Sequence, residues 1–173
     1  MHDEVESPRI GFARQSSRNI LKSVNFKLPP VRLSTIIQEL SKYELLSVKG
    51  LDADALDGAN IRSADEINIY YNLNNHIHRN RFTVAHELGH FVLGHLRRDY
   101  ILEVDSKNRE EAEANEFAAE LLMPMKTLKE FYKKNPDPKK LALDFLVSEK
   151  AMYTRLLKCG LLTLTKKSTS IWS

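Results

Sequence analysis

A chain of 173 residues, 42% hydrophobic and 28% charged with 6 Gly and 6 Pro, can bury one real core, which excludes a mainly disordered or fibrous protein and leaves room for one domain with a small appendage. Cys159 is the single cysteine, so neither an internal disulfide nor a multi-thiolate metal site can form, and with no apolar run fit for a membrane span or signal-peptide core the expected setting is the cytoplasm. The net charge of +3 is uneven, with 15 Lys/Arg against 19 Asp/Glu in residues 1–124 and 11 against 4 in residues 125–173; this lysine-rich end reads first as a solvated helical surface and second as a patch for an acidic partner or nucleic acid.

In chain order, a weak helical segment around Ser17 to Phe26 precedes Leu28-Pro29-Pro30, where the prolines stop any helix. Ser34 or Thr35 can cap a helix that carries Ile36, Ile37 and Leu40 and runs to about Tyr43. Leu45–Val48, Ala59–Ile61 and Ile67–Tyr71 read as short strands, with Ser63–Glu66 as a hairpin turn between the last two. Helical periodicity then predicts helices from about Arg79 to Leu96 and from about Asn108 to Met123, the second ended by Pro124. Further helices are expected over Met125–Lys134, Lys139–Phe145 and, behind a Ser148 cap, Glu149–Lys158, which Gly160 terminates. The pattern predicts an α+β fold: a small antiparallel sheet against the active-site helices, then a helical C-terminal part. Its expected divisions are an N-terminal extension (1–29), a core (30–124) and a helical part packed on that core (125–173).

The chemistry centres on His86-Glu87-Leu88-Gly89-His90. Residues four apart on an α-helix lie about 40° apart around the axis, so both imidazoles project to one side and can bind one zinc ion. Glu87, about 100° round from His86, sits beside that ion, where it can act as general base toward the attacking water. The same three side chains could instead decorate a solvated face. The apolar Phe82, Ala85, Val92 and Leu93 argue against that, because a largely buried helix leaves such groups in need of partners.

A catalytic zinc generally takes three protein ligands and keeps its fourth position open. His95 is the nearest further histidine, but on a continuous helix it lies roughly 180° from His86, which makes it a surface or supporting residue. The next helix offers Glu111. On its wheel Asn115, Ala118 and Leu122 share the side of Glu111, while Glu113, Glu116 and Glu120 cluster opposite, so Glu111 is expected on the inward, apolar stripe as the third ligand. The alternatives are an arginine or backbone partner, or a capping box from Asn108 to Glu111. Asn115, one turn on, is placed to hydrogen-bond a ligating histidine and fix its tautomer.

These residues carry a family likeness. The run Arg81-Phe82-Thr83-Val84-Ala85-His86-Glu87-Leu88-Gly89-His90, followed by Glu111 to Pro124, resembles the ImmA/IrrE family of metallopeptidases, and the likeness covers most of the chain after residue 30. The resemblance implies a zincin-like His/His/Glu centre, with His86, His90 and Glu111 holding one zinc per chain and Glu87 as base. It also implies a substrate: a helix-turn-helix repressor, cleaved to derepress a mobile element or stress regulon. The roughly 30 residues before the core leave no room for the N-terminal DNA-binding domain that some members carry.

The competing reading is a zinc-containing regulator that binds repressor or DNA without cutting. It draws on Leu141, Ala142, Phe145, Val147, Ser148, Ala151, Leu156 and Gly160, which follow a helix-turn-helix-like pattern but equally suit two small helices packed on a tight turn. Direct nucleic-acid binding is not expected. Ile67 to Asn72 reads either as an edge strand that a substrate could extend or as an interior strand. Tyr70, Tyr71 and Tyr100 are candidates to steady an oxyanion, and His76 and His78 read as solvated.

Overall fold

The computed structural model describes residues 7–52, 57–62, 66–95 and 104–163. The elements run α1 (Ile10–Ser23), α2 (Leu33–Leu40), β1 (Leu45–Leu51), β2 (Gly58–Arg62), β3 (Glu66–Asn72), α3 (Ile77–Val92), α4 (Val104–Leu122), α5 (Met125–Lys134), α6 (Pro138–Phe145) and α7 (Glu149–Lys158). The architecture is α+β, with a three-stranded sheet and a helical C-terminal part. Among the described residues no helix is long and apolar enough to cross a membrane.

The alanines and glutamates of α4 are strong helix formers, and this helix is the axle of the fold. Ala114, Phe117, Ala118, Leu121 and Leu122 are wholly buried, and α3 and α1 pack on different sides of it. Gly89 allows the closest approach of α3: a Cβ there would lie 3.1 Å from both the Cα of Ala114 and the Phe117 ring. The small residue lets two helix backbones meet, which is what brings Glu111 within reach of the α3 histidines.

The sheet order is β1-β3-β2. β2 pairs antiparallel with β3, Asn60 opposite Ile69, whereas β1 runs parallel to β3, pairing Val48 with Ile69; the turn expected at Ser63–Glu66 lies, but for Glu66, outside the described residues. The sheet is therefore mixed where an antiparallel one was expected, since β1 and β3 point the same way while β2 runs against β3. β3 is the central strand, with Ile67 and Ile69 buried, so its edge reading falls; the strands with a free side are β1 and β2.

Several boundaries differ from the sequence reading. α1 begins well before Ser17, because Ala13, Ser17, Ile20 and Leu21 form a buried stripe against α4. Ser34 and Thr35 lie inside α2, whose first turn has no side-chain cap. α4 starts at Val104, so Asn108 is an interior residue and no capping box forms with Glu111. Asp137 and Ser148 do cap α6 and α7, accepting bonds from the amides of Lys139 and Ala151 at 2.9 and 3.1 Å. Of the apolar positions of the helix-turn-helix-like pattern, Leu141, Ala142, Phe145, Val147 and Leu156 lie in the core and Ala151, partly buried, packs against it.

Candidate metal centre

α3 presents His86 and His90 on one side, and their Nε2 atoms lie 3.0 Å apart. From α4 the Glu111 carboxylate reaches both, Oε2 at 3.3 Å from His86 Nε2 and Oε1 at 3.4 Å from His90 Nε2. One donor atom from each of the three residues fits within a sphere of mutual separations under 4.8 Å. Two imidazole nitrogens turned toward each other and a shared carboxylate form a donor set suited to a divalent cation.

The opposite ring edges fit the same reading. If a metal takes both Nε2 lone pairs, each ring proton sits on Nδ1 and needs an acceptor. The His86 Nδ1 lies 3.1 Å from Asn115 Oδ1. The His90 Nδ1 lies 3.1 Å from the Nδ1 of His95, whose Nε2 lies 3.1 Å from Glu113 Oε2. One tautomer assignment satisfies the whole chain: His90 donates to His95, and His95 donates to the Glu113 carboxylate. Burial, with His86 and His95 nearby, pushes His90 down to about 3, which keeps its imidazole neutral and its lone pair free.

His95 is where the helical wheel misleads. α3 ends at Val92, and Gly94 adopts φ 75°, the left-handed conformation open to glycine. The Gly94 amide then bonds the Phe91 carbonyl at 3.2 Å and the His95 amide bonds the His90 carbonyl at 2.9 Å, a Schellman stop. The chain folds back and brings His95 against His90, 7% exposed. Gly94 directly before His95 was the available signal, since a glycine there marks a helix end and cancels the 180° argument.

Glu111, Glu113, Glu116 and Glu120, four of the five glutamates of α4, also need reassignment. They do divide by direction, but both sides are packed: Ala118 and Leu122 on the Glu111 side are buried while the Glu111 side chain itself is 44% exposed, and opposite it Glu113 and Glu120 are at most 1% exposed and Glu116 5%. Arg9, Arg14 and Arg18 of the N-terminal segment reach them in turn, at 2.8, 2.9 and 2.8 Å. Arg155 of α7, also buried, bonds Glu116 at 2.8 Å and both Glu120 and the Met123 carbonyl. Burial works against the Glu113 charge, but the Arg9 guanidinium and amide with the His95 ring overcome it and hold the carboxyl down to about 2. Glu116 is lowered for similar reasons, the Arg14 and Arg155 guanidinia outweighing burial.

Glu87 lies to the side of this centre, 9% exposed. Its carboxylate accepts a bond from the side-chain amide of Asn60 on β2, a contact between distant segments that no local pattern foretells. Burial pushes the Glu87 carboxyl up, against the lowering effects of His86 and Asn60, and so toward the range of a working base. Tyr70 and Tyr71 are half-buried on β3, and neither hydrogen-bonds a residue of the centre among the described residues; Tyr100 and Leu96 lie outside them. His76 caps α3, its Nδ1 accepting from the His78 amide at 3.2 Å.

No match was found among curated proteins. In shape the chain is similar to a Mycobacterium tuberculosis transcriptional regulator, with a TM-score of 0.65 at 13% identity, a likeness that speaks for the fold alone. The match covers 84% of this chain and 46% of that one, so the chain spans about half the regulator's length. The model of peptidase family M78, described as the IrrE N-terminal-like domain, matches residues 25–157, a span that includes His86, Glu87, His90 and Glu111. The chain therefore belongs to the M78 peptidase family of IrrE N-terminal-like domains.

Proposed function

We propose that this chain is a zinc-dependent endopeptidase of the cytoplasm that cuts a helix-turn-helix transcriptional repressor and so releases the genes under its control. The observation that carries the reading is the convergence of His86, His90 and Glu111 with a separate, buried glutamate, Glu87, beside them. A purely structural site has no use for that fourth group. Family membership supports peptidase chemistry, and a fold shared with a transcriptional regulator fits a substrate drawn from transcriptional control.

In this reading His86, His90 and Glu111 hold one zinc per chain, which when bound supplies Lewis-acid polarisation of the scissile carbonyl. Glu87 takes the proton from the attacking water and returns it to the departing amine, with Asn60 fixing the orientation of its carboxylate. Asn115 orients His86, and His95 backed by Glu113 orients His90. The catalytic core spans residues 30–124, between an extension at 1–29 and a helical part at 125–173.

The test is cleavage of the repressor encoded beside its gene by wild type and by Glu87→Gln, compared at equal zinc content. Cleavage should fall at least about a hundredfold while repressor binding persists. If Glu87→Gln relieves repression in cells as well as wild type does, the protein acts by binding alone, the second reading drawn from the sequence.

A further inference from the structure

A cavity of about 710 Å³ opens between α3, α4 and α7 on the His86 side of the centre. Its wall begins with residues next to His86: Asn115, whose Oδ1 lies 3.1 Å from the ring, and Phe82, one turn earlier, with its ring centroid 6.4 Å away. Ala119, Met123 and Val147 continue the wall inward, the last two nearly inaccessible, so the interior is an apolar slot. Its size lies within the range of pockets that bind small ligands and exceeds what one side chain needs.

Charge distinguishes the mouth of this slot from its interior. No Asp or Glu is among the lining residues. Of the cations there, Arg155 is neutralised by Glu116 and Glu120, and Arg79 by Asp57. Lys150 has no ion pair among the described residues, and Lys158 is 56% exposed with its nearest carboxylate oxygen 3.8 Å away. Both stand on α7, Lys150 as its second residue and Lys158 about two turns later, and both line the opening.

We propose that this slot is a substrate subsite of the metal centre, taking a large apolar side chain whose flanking residues are acidic. The inference rests on the endopeptidase reading, because it is the adjacency to His86 that makes the slot part of a cleavage site. It narrows the substrate to a peptide with a Leu- or Phe-sized residue among Asp or Glu near the bond cut. The apolar residue contributes most of the affinity, about tenfold to a hundredfold over serine, as burial of such a side chain predicts. The exposed lysines add about threefold to tenfold of selectivity, a contribution that salt screens.

The test uses Glu87→Gln carrying one equivalent of zinc and three fluorescein-labelled peptides of equal length, centred on Glu-Leu-Glu, Lys-Leu-Lys and Glu-Ser-Glu. Fluorescence anisotropy should rank the first tightest, with the advantage over Lys-Leu-Lys shrinking between about 50 and 500 mM salt and the advantage over Glu-Ser-Glu persisting. Reversing both charges with Lys150→Glu and Lys158→Glu should invert the preference between the first two peptides at unchanged melting temperature. Equal binding of all three, or an order that survives the charge reversal, overturns the subsite. Wild type then separates the two claims. If it binds in the expected order and cuts none of the peptides or the repressor, proteolysis fails and the slot is a peptide-binding site, not a cleavage subsite; if it cuts all three peptides alike, the subsite fails and proteolysis stands.

Discussion

The two faces of α4 solve the same problem, a carboxylate on a packed helix, in opposite ways. Toward α1 and α7, Glu113, Glu116 and Glu120 are buried and each meets at least one arginine. Toward α3, Glu111 is nearly half exposed and, among the described residues, meets imidazoles, which carry no cation unless they are protonated. Burial alone would have ranked the first three as the functional residues. What separates architecture from chemistry is the partner: a carboxylate saturated by guanidinium is finished, while one converging with two imidazoles completes a donor set that could hold a cation.

The contrast can be broken most severely at the histidines. His86→Ala or His90→Ala should abolish stoichiometric zinc binding, read as zinc per chain after competition with a chelator, because each removes one of three donors. Full retention in both variants would place the site elsewhere. On the architectural face, Arg155→Met should lower unfolding stability by about 3–5 kcal/mol, since it strips a buried cation from Glu116 and Glu120. Denaturant unfolding of the metal-free protein measures it, and a loss below about 1 kcal/mol would mean that Arg14 and Arg18 suffice alone.

Glu111→Gln should weaken zinc by ten- to a hundredfold and leave metal-free stability near wild type, the reverse of the Arg155 result. His95→Phe should cost about tenfold in zinc affinity, with His95→Gln recovering part of it by accepting the His90 proton. An unchanged affinity in His95→Phe would reduce the chain from Glu113 to His90 to a packing feature.

Much of this was legible in the sequence where chemistry is local. The spacing of His86 and His90 is a property of one helix, as are the Ser148 cap and the bounds of α5 and α7. The division of the α4 glutamates by direction was equally local. Which direction faces the interior was not, because that depends on α1, whose arginines approach from about a hundred residues away. The parallel pairing of β1 and the bond from Asn60 to Glu87 are likewise set by topology, which no periodicity encodes. His95 is the instructive middle case: Gly94 announced the helix end, but only the Schellman geometry says where the next residue lands.

Anomalous diffraction at the zinc edge from crystals of the zinc-loaded protein tests the central claim most directly. One peak per chain is expected, about 2.0–2.2 Å from the Nε2 atoms of His86 and His90 and from a carboxylate oxygen of Glu111, with Glu87 beyond bonding distance. A peak bound by His95 and Glu113 instead, or one that has Glu87 as a direct ligand, would contradict it.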